Sequence, residues 1–242
     1  MSKSVIIIPS RLAASRLPNK PLIKINDKAL IIHVYEKAVK SGVGDVYVAT
    51  CDKEIASEVD EHGGKFILTK STHSTGTDRV YEASKKLDLQ FDDYVINVQG
   101  DEPMISPDDI SNLNTISKEN NLEFSTLAFN IKDQEDYQNK NIVKVYTKNK
   151  ISSSSISIAQ NFSRKLINKS KYIYHHYGIY CYKFSNLKKF VNLEQSKNEK
   201  NEKLEQLRAI DNNINISVLL AKNFSLGIDT KEDLDNYRKI IN

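Results

Sequence analysis

The chain has 242 residues, and its 35 basic and 31 acidic side chains leave a net charge of +4 at neutral pH. No basic stripe is interleaved with aromatic residues, so the composition argues against a nucleic-acid-binding protein. Two cysteines without zinc-type neighbours indicate a reducing compartment rather than a disulfide framework. No apolar run reaches the ~18 residues that cross a bilayer and no signal peptide is recognisable, so we expect a cytoplasmic protein without a membrane span. The length suits one domain over residues 1–242.

The first half of the chain alternates predicted strands with predicted helices. Apolar runs predict strands at residues 5–8, 45–50, 65–68 and 94–98. Helical spacing and stop signals predict helices at residues 29–40 and 53–62, after residues 76–78, and at residues 107–119. We expect Asp52 to cap the second helix, and Ser106 with Asp109 to cap the fourth. This alternation indicates a parallel sheet with right-handed crossovers.

The middle of the chain has a different pattern. Strand-like segments at residues 123–130, 143–146, 151–158 and 172–183 are joined by short polar links without long helices. We interpret residues 123–195 as a β-rich insertion on a mostly parallel core, with more apolar surface than it can bury alone, and we expect it to form a two-fold homodimer. Helical patterns return at residues 202–211 and 230–241, and the last helix opens with a capping box from Thr230 to Asp233.

The loop after the first strand carries three cations and no acid. Arg11, Arg16 and Lys20 lie between prolines that fix the backbone and reduce the entropy lost when a ligand orders the loop. In an open α/β sheet such a loop lies at the carboxyl ends of the strands, where ligands bind. The loop therefore suits a polyphosphate, although a solvated basic loop has the same composition.

Two aspartates stand at the places where a metal site is expected. Asp101 follows the apolar strand at 94–98, and Asp229 directly precedes the last helix. Mg²⁺ takes one or two carboxylates and fills its other positions with water and phosphate oxygens, so this pair predicts Mg²⁺ as the cofactor. Asp229 could instead only stabilise a helix N-terminus, and Asp101 could only cap its turn. Neither a P-loop nor a dinucleotide-binding glycine turn is present.

Seven segments in chain order together resemble one enzyme family. They are residues 8–22 (IPSRLAASRLPNKPL), 49–52 (ATCD), 76–79 (GTDR), 97–103 (NVQGDEP), 176–180 (HYGIY), 204–208 (LEQLR) and 227–230 (GIDT). The chain is similar in these segments to the 3-deoxy-D-manno-octulosonate cytidylyltransferases, also called CMP-Kdo synthetases. The resemblance implies a Rossmann-like three-layer fold of the nucleotide-diphospho-sugar transferase type and a homodimer. It also implies the reaction of CTP with Kdo that gives CMP-Kdo and pyrophosphate for lipopolysaccharide biosynthesis.

The resemblance also implies a role for individual residues. The catalytic set is Arg11, Lys20, Asp101 and Asp229, and the last two would bind Mg²⁺. The nucleotide-binding set is Arg11, Ser15, Arg16, Lys20, Thr77, Arg79 and Asp101. The sugar-binding set is Gln99, His176, Tyr180, Glu205 and Gln206. No dedicated general base is recognisable, so positioning and charge neutralisation should carry the reaction.

The chain departs from the family pattern in a few places. Ala14, Asn19 and Cys51 replace Ser, Gly and Asp, and Ser155 stands where an arginine facing the sugar acid is expected. The missing arginine leaves an 8-amino-Kdo or another ulosonate open as the substrate. A glycosyltransferase of similar fold and a catalytically silent nucleotide-binding protein also remain alternatives. The cation-rich first loop argues against the glycosyltransferase, which needs no grip on a triphosphate.

Overall fold

A computed structural model describes residues 2–13, 17–167, 171–223, 225 and 227–241. Its strands are β1 (Ser4–Pro9), β2 (Lys24–Ile25), β3 (Lys28–Ala29), β4 (Asp45–Thr50), β5 (Lys65–Leu68), β6 (Tyr94–Asn97), β7 (Phe124–Asn130), β8 (Lys144–Thr147), β9 (Ser157–Ser163), β10 (Ile173–Lys183) and β11 (Ser217–Leu220). Its α-helices are α1 (Leu30–Lys40), α2 (Lys53–Glu61), α3 (Gly76–Lys85), α4 (Pro107–Glu119), α5 (Phe184–Val191), α6 (Lys197–Glu202), α7 (Leu207–Asp211) and α8 (Lys231–Ile241). Short 3₁₀ turns cover Lys20–Leu22 and Gln134–Tyr137. The α/β class is confirmed.

The main sheet places β1 near its centre. In the described part of the chain the strand order is β5-β4-β1-β6-β10-β7-β11-β9-β8, and β2 and β3 form a separate hairpin. Strands β4 and β6 pair in parallel with β1, and β5 pairs in parallel with β4. Strand β1 is buried on both faces: Ile6 and Ile8 pack in one core with α1 and α4, and Ile7 packs in the other with α3 and α5. This two-sided burial explains its uninterrupted apolar sequence.

The other half of the sheet is mixed and curls on itself. Strand β10 runs antiparallel to β6 and to β7, whereas β11 is parallel to β7 and antiparallel to β9. Because β8 pairs with both β9 and β10, strands β7 to β11 close into a ring. Residues 123–195 are therefore continuous with the core sheet. In the described part of this segment the large aliphatic and phenylalanine side chains are buried or half-buried within one chain.

Several element boundaries differ from the sequence expectations. The predicted strand at 151–158 is wrong, because residues 152–155 form a turn closed by serine hydroxyls and the strand begins only at Ser157. The predicted helix at 202–211 is two short helices separated at Lys203, whose φ of +55° ends α6. Helix α5 and strand β11 were not predicted. No described helix combines the length and apolar character needed to cross a membrane.

Two of the three predicted caps are wrong, because their carboxylates serve longer-range contacts. The Thr230–Asp233 box is confirmed, with the hydroxyl and amide of Thr230 donating to Asp233. Asp52 instead accepts the amide of Leu12 at 2.8 Å and so fixes the first loop. Asp109 accepts the amides of Lys222 and Asn223 and ties α4 to the chain after β11. Helices α2 and α4 therefore begin without a side-chain cap.

Candidate active site

A cavity of about 350 Å³ opens at the carboxyl ends of β1 and β6. These strands are adjacent and parallel, with Ile7 opposite Asn97, so the loops that follow them emerge side by side. The described lining is Pro9, Ser10, Arg11, Ala13, Leu17, Lys20, Pro21, Thr75, Gly76, Arg79, Gln99, Gly100, Asp101 and Asp229. A Cβ on Gly100 would lie 3.0 Å from the carbonyl oxygen of Pro9, so the glycine permits the close approach of the two loops. The cavity thus collects residues far apart in sequence.

Lys20 joins the two predicted metal ligands. Its ammonium lies 2.7 Å from Asp101 Oδ2 and 3.2 Å from Asp229 Oδ1, and it also donates to the carbonyl of Ile228 at 2.8 Å. The Lys20 side chain is only 13% exposed, against 35% and 47% for the two carboxylates. The amide of Ile228 donates to the carbonyl of Asp101 at 2.8 Å, which fastens the two aspartate loops together. One cation therefore already occupies the position between the two carboxylates.

This arrangement fits the binding of a divalent metal. Asp101 and Asp229 direct oxygens at one positive centre, which is the geometry a shared cation requires. No group of three or more histidine, cysteine or acidic side chains in the described residues forms a metal cluster. Two carboxylates without further protein ligands suit Mg²⁺, which completes its shell with water and substrate phosphates. The donor set is therefore compatible with the expected cofactor.

Other polar groups of the cavity suit anions. Arg11 is exposed at the rim, whereas Arg79 is buried and donates to the Thr69 hydroxyl behind the cavity wall. Helix α3 begins at the cavity with Gly76 and is capped by Thr75, so its N-terminal amides face the same space. A helix N-terminus attracts negative charge. The cavity combines the guanidinium of Arg11, the ammonium of Lys20 and one helix N-terminus, and Arg79 forms part of its wall.

The predicted sugar-binding residues other than Gln99 lie outside the described lining of this cavity, on β10 and in the segment before α7. Gln99 lines the cavity, next to Gly178 of β10. His176 bonds the Thr126 hydroxyl at 3.0 Å and packs edge-on against Phe162. Burial and the neighbouring His175 lower the pKa of His176 to about 3, so its ring is neutral at neutral pH.

Glu205 lies just before α7 and contacts Thr77 of α3, whose first residue Gly76 lines the cavity. The Thr77 hydroxyl donates to Glu205 Oε2 at 2.8 Å, so a predicted nucleotide residue contacts a predicted sugar residue. Burial raises the pKa of Glu205, opposed by the hydroxyls of Thr75 and Thr77. Tyr180 lies near enough for the charge of Glu205 to act on it, and burial raises the pKa of Tyr180. Gln206 is buried beside them.

Two site residues were missed by the sequence analysis. The Ser10 hydroxyl is buried at the cavity and has no hydrogen-bond partner among the described residues, which leaves it available to a ligand. Its position directly after a buried strand was the available signal. Glu102, next to Asp101, is a fully buried carboxyl, and burial followed by the charge of Asp101 raises its pKa to about 8. Glu102 lies in the segment 97–103, where the sequence analysis considered only Asp101 as a functional acid.

Three predicted positions lie elsewhere. Ser15 and Arg16, like Ala14, are outside the described residues. Ser155 lines a second cavity of about 640 Å³, formed by α4, the ends of β7 and β11, and the serine turn. The described lining of that cavity contains none of the predicted site residues. The expectation that Ser155 faces the sugar therefore receives no support from its position.

The chain is similar to known proteins over nearly its whole length. Residues 5–216 match the family model described as cytidylyltransferase. The 3-deoxy-manno-octulosonate cytidylyltransferase of Thermodesulfovibrio yellowstonii is 42% identical, and the alignment covers 99% of this chain and 98% of that protein. The solved structure of a CMP:2-keto-3-deoxy-manno-octonic acid synthetase complexed with CTP is 38% identical, with a TM-score of 0.87 and coverage of 99% and 98%.

A more distant structure shares only the fold. A UDP-glucose pyrophosphorylase complexed with UDP-glucose superposes with a TM-score of 0.72 over the whole of this chain and 98% of that one, at 11% identity. The seven sequence segments, four of which contribute residues to the cavity, and the full-length matches lead to one assignment. The chain belongs to the 3-deoxy-manno-octulosonate cytidylyltransferase family.

Proposed function

We propose that this protein transfers CMP from CTP to the anomeric hydroxyl of Kdo, with release of pyrophosphate and with Mg²⁺ as cofactor. The observation that carries the proposal is the Lys20 ammonium between Asp101 and Asp229, in a cavity that Arg11 and Arg79 also line. Relatives that match over their whole length bear the name of this activity. The structural relative was solved with CTP.

The phosphate end of the cavity works by charge. Arg11, Lys20 and the N-terminus of α3 would hold the triphosphate, and the lysine would turn from the two carboxylates to the phosphates. Asp101 and Asp229 would hold Mg²⁺, which when bound neutralises phosphate charge and lowers the pKa of an attacking hydroxyl. As charge grows on the departing pyrophosphate, the cations nearest to it stabilise the transition state more than the ground state.

The sugar end works by neutral hydrogen bonding and by one carboxylate. Gln99 and the neutral His176 would contact the sugar, and Glu205 would accept its hydroxyl protons. No described side chain stands out as a general base for the anomeric hydroxyl. The reaction would depend on holding that hydroxyl in line with the α-phosphorus. Kdo is the favoured substrate, since the argument for an amino sugar depended on Ser155, which lines a different cavity.

The assembly and location are further parts of the proposal. We propose a homodimer, on the basis of the family resemblance rather than of an exposed apolar face. Light scattering at micromolar concentration should give twice the chain mass, and a monomeric mass would remove the idea. The free thiols of Cys51 and Cys181 agree with a reducing cytoplasm. The product would serve lipopolysaccharide biosynthesis.

The test is a pyrophosphate-release assay with purified protein, CTP, Kdo and Mg²⁺. The proposal predicts release that needs all three additions and yields CMP-Kdo by mass spectrometry. A glycosyltransferase would leave CTP intact and consume a preformed nucleotide sugar. A silent nucleotide-binding protein would bind CTP in calorimetry and release nothing. Either of these two results would contradict the proposal.

A further inference from the structure

Arg208 lies behind the sugar end of the cavity and touches two carboxylates. Its guanidinium binds Glu199 with two hydrogen bonds, Nε to Oε2 at 2.9 Å and Nη2 to Oε1 at 2.6 Å. The same Nη2 lies 3.6 Å from Oε1 of Glu205. Both partners of the tight pair are almost fully buried, with side chains 2% and 5% exposed, and Phe190 packs against the guanidinium at 4.9 Å. Arg208 is thus rigidly held and still faces Glu205.

The two oxygens of Glu205 have different surroundings. Oε1 is covered, has no hydrogen-bond partner among the described residues and faces Arg208. Oε2 accepts the hydroxyl of Thr77. The Glu205 side chain is 27% exposed although Oε1 is buried, and Thr77, which holds Oε2, directly follows the cavity residues Thr75 and Gly76. The carboxylate is therefore held at one oxygen by the charge of Arg208 and at the other by a hydroxyl next to the cavity.

The corner between α6 and α7 sets this arrangement. Lys203, in the left-handed conformation, turns the chain sharply so that α7 folds back over α6. The fold brings Arg208 of α7 against Glu199 of α6. A buried bidentate pair of this kind contributes geometric specificity more than net stability. Its position directly behind Glu205 suggests what the specificity serves.

We propose that Arg208 is a positioning residue for substrate binding, held by Glu199, which fixes the orientation and charge of Glu205 toward a polyhydroxylated sugar acid. This inference rests on the proposed function of the cavity. The sugar hydroxyls would donate to Glu205, which accepts them only as a carboxylate. Neither Arg208 nor Glu199 touches the reacting atoms in this account.

The test removes the pair without leaving a buried charge. Arg208→Met alone would strand Glu199, so the double variant Glu199→Gln/Arg208→Gln replaces the ion pair with neutral groups of similar shape. Asp211→Asn is the matched control, since it removes the charge and one of the two acceptor oxygens that bind Ser196 and Asn198 in the same corner, without contact to Arg208. Thermal unfolding checks that both variants fold.

Steady-state kinetics give the first readout. The double variant should raise KM for Kdo by about 10-fold or more, the scale of a weakened charge-assisted hydrogen bond, with KM for CTP changed less than about 2-fold. The control should match the wild type in both constants. An unchanged KM for Kdo in a folded double variant would overturn the proposal, as would equal rises in both KM values.

The charge of Glu205 gives a second readout, which needs no substrate. The groups that face Glu205 are Arg208 on α7, Asp78 on α3, and Tyr180 and Tyr182 on β10. Among these only Arg208 lowers its pKa by charge, so the carboxyl carbon of Glu205 in NMR should titrate at higher pH in the double variant. An unmoved titration would overturn the proposal. If the wild type showed no turnover with Kdo, the proposed function would fail, whereas this titration would still report on Arg208.

Discussion

The two ends of the candidate site differ in their side chains, which are charged and on loops at one end and buried and hydrogen-bonded at the other. At the phosphate end, partly exposed carboxylates and long cationic side chains lie on loops, and Lys20 already pairs with Asp101 and Asp229. At the sugar end, His176 is neutral and buried in β10, and Glu205 is held by hydroxyl groups. The ion pairs at the phosphate end can exchange, because the lysine can leave one anionic partner and bind another. Hydrogen-bond geometry in the second end is fixed by packing.

The difference matches the chemistry that each end would handle. A triphosphate carries charge that changes during the reaction, so the groups around it must neutralise charge and release the product. A sugar is recognised by the directions of its hydroxyls, which demands few but well-placed partners. Variants at the two ends should therefore fail in different ways, and the following tests are ordered from the largest expected effect to the smallest.

Removal of a metal-binding carboxylate should have the largest effect. Asp101→Asn and Asp229→Asn should each lower kcat by about 10² or more, because each loses a charge that holds the expected Mg²⁺ near the phosphates. Pyrophosphate release over a range of Mg²⁺ concentrations measures this. Asp45→Asn, which breaks only an exposed pair with Lys65, is the control and should keep wild-type turnover. Wild-type turnover by either site variant at limiting Mg²⁺ would show that the substituted residue does not bind the metal.

Loss of a loop cation should affect both kinetic constants. Lys20→Ala and Arg11→Ala should raise KM for CTP and depress kcat, by about 10-fold or more each. The reason is that the negative charge on the departing pyrophosphate, which these two cations would contact, grows toward the transition state. KM for Kdo should change little in either variant. Lys28→Ala, which removes an exposed ion pair with Glu36, serves as the control. Unchanged CTP kinetics in the double variant would make the loop a solvated basic surface.

The buried histidine should affect stability through pH. His176 has a folded-state pKa of about 3, below its ordinary 6.5, so the unfolded chain binds the extra proton between these values. Its contribution is fully present above pH 6.5 and is lost as the pH falls, by about 1.4 kcal/mol per pH unit at most. Wild-type stability should therefore fall more between pH 6.5 and 5 than that of His176→Gln, measured by urea unfolding. Equal slopes would show that His176 is not buried as a neutral ring.

The smallest effect is expected at the second cavity. Ser155→Arg should leave kcat/KM for Kdo and for 8-amino-Kdo within about 2-fold of the wild type, because Ser155 lines a cavity without predicted site residues. Ser154→Arg in the same turn is the matched control. A changed preference in Ser155→Arg alone would restore the view that this position faces the sugar.

The sequence predicted the parts of the site that depend on local order. Apolar strands followed by charged or glycine-containing loops located Lys20 and Asp101, since the carboxyl ends of parallel strands meet at one edge. The Thr230–Asp233 cap is likewise a local hydrogen-bond pattern. These features are visible in sequence because neighbouring residues determine them.

The features that sequence reasoning missed depend on distant partners. Asp52 and Asp109 look like caps, but they accept amides from Leu12 and from residues 222–223, which no local pattern reveals. The left-handed conformation of Lys203 accompanies the pairing of Glu199 with Arg208, nine residues apart. The Ser10 hydroxyl is buried in a cavity that is lined by residues far apart in the chain.

A crystal structure of the protein with CTP and Mg²⁺ would test the central claim most directly. The account predicts that the Lys20 ammonium leaves Asp101 and Asp229 for the triphosphate, with the metal taking its place between the two carboxylates. The sugar end, including the contact between Thr77 and Glu205, should stay as it is. A triphosphate bound elsewhere, with Lys20 still on both carboxylates, would contradict the account.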